Sequence, residues 1–255
     1  GTNASSSDGG PPPLDETQYT QPAIFALEWS LAQVWAARDI KPGLVLGHSV
    51  GEIVAACVAG VMTMEDGLRL ATERGRLMQS LPLGEGEMWA VRCDEASAVD
   101  AIRSLSLQES VSVGAVNGPR SVVLSGEARG VAAVLQQLKT NGQRLSVSHA
   151  FHSPLMKPIT QAFRAVVQSV ELSANRVPLA STVTGGVATA KDLMDPEHWV
   201  RQLWSPGLYS QAMNVALAYS VKDGKGAAGT MSTLLEVGAK PVLARMAKSW
   251  AGKLL

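Results

Sequence analysis

Leu44-Val45-Leu46-Gly47-His48-Ser49-Val50-Gly51-Glu52 decides the reading of this chain. Leu44, Val45 and Leu46 form a short apolar run of the kind a buried parallel strand shows. Ile53, Val54, Ala55, Ala56, Cys57 and Val58 follow as a helix packed on several sides. Between them a serine stands with a glycine two residues away on either side. Such a strand-to-helix turn needs small flanking residues, because two backbones approach closely and the serine is held in a strained conformation. Ser49 Oγ is then expected above the sheet at a helix N-terminus, where the Val50 N–H can support an oxyanion.

Working outward, residues 21–38 place Ile24, Leu27, Leu31, Val34 and Trp35 at three- and four-residue steps, which predicts one long helix with Pro22 in its first turn. Residues 64–79 repeat the helical period through Leu68, Leu70, Leu77 and Met78, closed by Leu81-Pro82. The rhythm then changes. Strands are expected at 88–91, 111–116, 121–124 and 144–147, and helices at 95–105 and 131–138. That order, βαββαβ, is a ferredoxin-like split unit. Helical pattern resumes at 154–167, 208–219 and 241–250, with strands at 177–183 and 233–237. The fold class is therefore α/β: an α/β-hydrolase-like core with a parallel sheet over residues 14–84 and 148–255, plus an inserted ferredoxin-like subdomain over 85–147. Residues 1–13, rich in Ser, Gly and Pro, read as a linker or a remnant of expression.

Composition narrows the function. The chain has 255 residues, enough for a substantial core. Its 22 Lys and Arg balance 22 Asp and Glu, so no overall basic field argues for nucleic acid. Apolar stretches stop well short of the roughly 20 residues of a membrane span. Cys57 and Cys93 are too few for a disulfide framework or a zinc site, which points to a reduced, cytoplasmic setting and no bound metal.

A serine nucleophile needs a general base, and the chain has four histidines, His48, His149, His152 and His198. His149-Ala150-Phe151-His152 falls where the inserted unit rejoins the core, a natural cleft wall; spacing alone does not say which histidine acts. Arg74 can grip a substrate carboxylate bidentately or be a surface arginine paired with Glu73 or Asp66. Asn117, in Val116-Asn117-Gly118-Pro119, is by default a turn residue.

These segments, with residues 14–23, Glu73-Arg74-Gly75-Arg76-Leu77-Met78-Gln79, His198-Trp199-Val200-Arg201-Gln202-Leu203 and Leu235-Glu236-Val237-Gly238, resemble the acyltransferase domains of modular polyketide synthases and the related malonyl-CoA:acyl carrier protein transacylases. The resemblance implies Ser49 as acyl-accepting nucleophile, His152 as general base and Arg74 as the holder of the malonyl carboxylate. Val50, His149, Phe151, Asn117 and His48 are implied as substrate-binding residues. His-Ala-Phe-His is similar to the malonyl-selective form of this motif, where Tyr-Ala-Ser-His accompanies methylmalonyl; Phe151 would crowd an α-methyl group. A ping-pong transfer from malonyl-CoA to a carrier-protein phosphopantetheine is implied, with no bound cofactor, and with the carrier protein and neighbouring synthase domains (a ketosynthase and its linker) as partners. Family members also carry a strand ending in Gly-Gln-Gly that brings a second oxyanion donor, a motif not found in this sequence. A serine acyl hydrolase or editing thioesterase, and a non-catalytic docking module, are the alternative readings.

Overall fold

A computed structural model describes residues 13–222, 228–230 and 233–251. The proposed linker thus falls, up to residue 12, outside the described residues. After a 3-10 turn at Pro13–Asp15 the elements run α1 (Thr17–Ala36), β1 (Val45–Leu46), α2 (Val50–Ala59), α3 (Met64–Gln79), β2 (Gly86–Val91), α4 (Glu95–Ser104), β3 (Val111–Gly118), β4 (Ser121–Glu127), α5 (Ala128–Gln137) and β5 (Gly142–Arg144). A 3-10 turn at Pro154–Ile159 leads into α6 (Thr160–Gln168), β6 (Leu179–Ala180), α7 (Ala190–Met194), α8 (Pro196–Arg201), α9 (Tyr209–Ala218), β7 (Ser220–Lys222), β8 (Ala228–Thr230) and α10 (Leu243–Ala251).

The architecture is mixed α/β, and two hydrophobic clusters dominate the described residues. In the first, β1 pairs in parallel with β6, Val45 opposite Leu179 and Leu46 opposite Ala180. Phe25, Ile53, Ala56, Leu70, Met78, Leu179, Trp199 and Leu203 fill its interior. Gly67 lets α3 lie on α2, since a Cβ there would meet Cys57 Sγ at 2.2 Å. Thr63 caps α3 by accepting from the Asp66 N–H, a bond worth about 1 kcal/mol in such caps. Both cysteines are free and buried, and burial pushes the Cys57 thiol up to about 12.

The second core belongs to the β2-α4-β3-β4-α5-β5 segment. Its four strands lie in the order β3-β4-β2-β5, every neighbour antiparallel. Val111, Val113, Val122 and Leu124 pack one face of this sheet on Ala98, Ile102, Val131 and Val134 of α4 and α5. The other face turns Met88, Ala115 and Val123 toward Ala150, Phe151 and Leu155 of the first unit. No helix among the described residues is long and apolar enough to cross a membrane.

Several expected elements differ. Helix α1 begins at Thr17, so Pro22 lies inside it rather than in its first turn. The strand expected at 177–183 shrinks to Leu179–Ala180, because Ser181 and Thr182 leave the ladder to donate hydrogen bonds to Glu52. The last strand of the insert is Gly142–Arg144 rather than 144–147, in register with Val91, Ala90 and Trp89. Residues 233–237 form no strand; Glu236 instead accepts from the Val242, Leu243 and Ala244 N–H groups at the start of α10.

Candidate active site

Ser49 occupies the turn between β1 and α2 with φ 54° and ψ −122°. A non-glycine residue there carries strain on the order of 1–3 kcal/mol. The turn is that tight because a Cβ on Gly47 would lie 2.1 Å from the Gly51 carbonyl oxygen. Val50 opens α2, so its N–H belongs to the first turn that has no acceptor within the helix.

Ser49 Oγ lies 2.9 Å from His152 Nε2, across 103 residues of chain. His152 Nδ1 lies 3.0 Å from the Ser205 carbonyl. A carbonyl only accepts, so the proton sits on Nδ1 and leaves the Nε2 lone pair facing the serine hydroxyl. The third member of this array is thus a main-chain carbonyl, not a carboxylate. Burial first, then the charges of Arg74 and His48, press the His152 pKa down to about 3, so the ring is neutral at ordinary pH.

Arg74, on α3, is 2 % exposed and not the surface residue that the sequence also allowed. Its Nη2 donates to Ser49 Oγ at 3.1 Å and its Nη1 to Gln21 Oε1 at 2.6 Å. Gln21 is steadied in turn by donating to Thr17 Oγ1. Arg74 Nε has no partner and Arg74 forms no ion pair among the described residues. Burial lowers its pKa to about 10, with the nearby Glu52 opposing that shift, so the guanidinium stays charged at pH 7.

His48 sits beside Ser49 with its ring 5.8 Å from that of Tyr209. Burial lowers its pKa, while the neighbouring Asn117 side chain and the Glu52 carboxylate work the other way. The Asn117 main-chain carbonyl accepts from the Trp250 indole N–H. His149 has both ring nitrogens engaged, with Ser148 Oγ at 2.9 Å and the Leu81 carbonyl at 3.0 Å. It therefore ties together the two connections that join the four-stranded unit to the rest, and lines a cavity of about 650 Å³ with Leu81, Glu85 and Leu155. Phe151 is partly buried, its ring 6.0 Å from that of His149. Val50 is in the core.

Beneath the turn, Glu52 is fully buried and accepts from Ser181 Oγ, the Thr182 N–H, Thr182 Oγ1 and His198 Nε2. It fixes the first turn of α2 to the end of β6. Three of these participants escaped the sequence reading. Gln21 carries no motif of its own, the Ser205 contribution is a main-chain atom, and Glu52 showed only as the last residue of the turn motif. Among the described residues no three His, Cys, Asp or Glu side chains converge as metal ligands would.

Known proteins resemble the chain as a whole in sequence and shape. The family model described as "Acyl transferase domain" matches residues 7–248. The polyketide synthase GfsB of Streptomyces halstedii is 42% identical over 82% of this chain, which spans 4% of that protein. The mycoketide-CoA synthase of Mycobacterium tuberculosis is 42% identical over 88% of the chain and 5% of its own length. The chain thus corresponds to a small part of the curated relatives it matches. Among solved structures, the acyltransferase domain from the second module of the salinomycin polyketide synthase superposes with a TM-score of 0.82 at 37% identity, covering 92% of this chain and 53% of that one. A malonyl-transacylase solved with a type II polyketide synthase acyl carrier protein gives 0.80 at 28% identity, over 92% and 75%. With a family model over nearly its full length and these relatives, the chain is an acyltransferase and belongs to the acyl transferase domain family of modular polyketide synthases.

Proposed function

We propose that the chain moves a malonyl group from malonyl-CoA, through an ester on Ser49, to the phosphopantetheine thiol of an acyl carrier protein. The observation that carries this reading is Arg74: a buried guanidinium, unpaired by any carboxylate among the described residues, donating to the hydroxyl that is to be acylated. A carboxylate on the acyl group would complete it, and a charge-assisted contact of this kind contributes on the order of 1.5–3 kcal/mol. A plain hydrolase has no use for such a group.

In this reading His152 Nε2 takes the Ser49 proton as Oγ attacks the thioester carbon, and returns it to the departing CoA sulfur. The carrier thiol then gives its proton to His152, attacks the ester, and restores Ser49. The substrate also tunes the base. Arg74 depresses His152 in the empty site, so a malonyl carboxylate that neutralises Arg74 would raise the basicity of His152 when the donor is in place. Phe151 would crowd an α-methyl group, with Val50, His48, Asn117 and His149 shaping the surroundings. We read residues 85–147 as a ferredoxin-like insert in an α/β-hydrolase-like core over 14–84 and 148–255. Partners in the parent synthase would be the carrier protein and the ketosynthase with its linker, in the cytoplasm, with no bound cofactor.

The test is intact-protein mass after brief incubation with malonyl-CoA, methylmalonyl-CoA and acetyl-CoA. A malonyl adduct is expected that is absent in Ser49→Ala, weak with the other two donors, and lost in Arg74→Ala. CoA release with no adduct would point to hydrolysis instead.

A further inference from the structure

The segment that carries His152 is under constraint, since His152 has a φ of 56°, a left-handed conformation that non-glycine residues seldom adopt. Something must hold it there. Its own N–H donates to the Leu203 carbonyl at 3.2 Å and its Nδ1–H to Ser205, which fixes it from one side. Two carbonyls remain on the other side, those of Phe151 and His152. Ser125 Oγ donates to the Phe151 carbonyl at 2.5 Å, and Ser112 Oγ to the His152 carbonyl at 2.8 Å.

These serines come from β4 and β3 and stand opposite one another in the ladder. A cross-strand pair shares one face of a sheet, here the face turned to the base segment. Gly114 leaves room for the approach: a Cβ there would lie 2.8 Å from Ser125 Cβ, 3.4 Å from the Phe151 oxygen and 3.6 Å from the His152 oxygen. Ser125 is fully buried, so its hydroxyl has no solvent alternative. Neighbouring positions on this face, Met88, Ala115 and Val123, are apolar. Two hydroxyls among them, each aimed at one of two consecutive carbonyls of the strained segment, are placed to set backbone orientation.

We propose that Ser112 and Ser125 are positioning residues that hold the Phe151-His152 backbone in its strained conformation and so keep the His152 ring aimed at Ser49. The four-stranded unit thereby participates in the chemistry without touching a reacting atom. Loss of either hydroxyl frees a carbonyl, lets the segment relax toward ordinary φ, and swings the imidazole away from the hydroxyl it must deprotonate.

The inference rests on the reading of Ser49 and His152 as nucleophile and base, but not on the identity of the acyl donor, so its test uses a probe indifferent to that. A fluorophosphonate reacts with an activated serine: an Oγ–P bond forms, the P–F bond breaks, and fluoride leaves while the serine proton passes to His152. The rate of this labelling, followed by intact mass on the whole chain, is compared for wild type, Ser112→Ala, Ser125→Ala and Ser112→Thr, with His152→Ala as floor and Ser49→Ala as blank. Each alanine variant is expected to label roughly 10-fold more slowly, in line with the cost of small misplacements of catalytic groups, and Ser112→Thr to recover most of the loss. The pH–rate profile supplies the readout that a merely structural serine would not move. Arg74 and His48, which face His152, are left in place, yet an imidazole released toward solvent should titrate nearer its ordinary range, shifting the inflection upward in the alanine variants. Ser112 is only partly buried, so Ser112→Ala stays informative even if Ser125→Ala unfolds. Wild-type labelling rates and an unshifted profile in folded Ser112→Ala would overturn the positioning role alone. An unlabelled wild type would overturn the nucleophile–base reading and the positioning role with it.

Discussion

Ser49 and His152, the proposed nucleophile and base, are built in opposite ways. Ser49 is placed by its immediate neighbours: six consecutive residues make the turn, and the strain at φ 54° is locked by the Gly47–Gly51 approach. His152 is placed by residues 40, 27 and 53 positions away, through Ser112, Ser125 and Ser205. One half of the site is local and written as a motif; the other is assembled from three separate segments of chain. The local half should break through single steric changes, and the assembled half through changes that alter its charge or tether.

The largest effect is expected at the turn. Gly47→Ala forces a Cβ into the Gly51 carbonyl, a backbone clash that no rotamer relieves. It should cost about 4 kcal/mol or more, or prevent folding, as read by chemical denaturation. Next comes Glu52→Ala, which leaves His198, Ser181 and Thr182 buried without their acceptor. About 3 kcal/mol is expected. If it proves neutral, the turn is held by its glycines alone and the contrast between the two halves sharpens.

Acid should act on the assembled half. His152 is held at about 3, below its usual 6.5, by burial and by Arg74. The unfolded chain binds that proton first, so its contribution is fully present above pH 6.5 and is lost as pH falls toward 3. Between pH 7 and pH 5 the loss should be about 2 kcal/mol, measurable as a difference in denaturation midpoint between wild type and His152→Gln. An identical pH dependence in that variant would assign the effect to other groups. The smallest effect is expected at the surface pair Lys157–Glu109, whose side chains are 52% and 89% exposed. Lys157→Ala should leave the melting temperature unchanged within error, since solvent screens such pairs. A clear drop would mean that this pair helps seat the 3-10 turn following His152.

The same contrast explains what the sequence could and could not tell. Helix α3 is legible to the residue, because Leu70, Leu77 and Met78 keep one face buried and Thr63 caps its start. The serine turn is legible because its glycines have no other purpose. Residues 233–237 look like a strand by their apolar run, yet the carboxylate of Glu236 is spent on the N-terminus of α10; periodicity carries no sign of that competition. The shift of β5 follows from pairing with β2, a register that only the partner strand reveals. Gln21 and the Ser205 carbonyl were invisible for a related reason. A glutamine that orients an arginine across 53 residues looks like any other polar helix residue, and a main-chain oxygen has no letter in the sequence.

The two sequestered thiols carry a consequence for selectivity of a different kind. If the donor is a thioester and the acceptor a thiol, an available thiolate on the catalyst would intercept acyl groups by exchange and divert them from the serine. Cys57, held near 12, has only about one molecule in 10⁵ ionised at pH 7, and Cys93 is displaced in the same direction by burial. Both shifts act against thioester exchange and against reaction with aromatic disulfide reagents. In the acylation half-reaction, run without carrier protein, a thiol that such a reagent counts then reports released coenzyme against a low background from the chain itself.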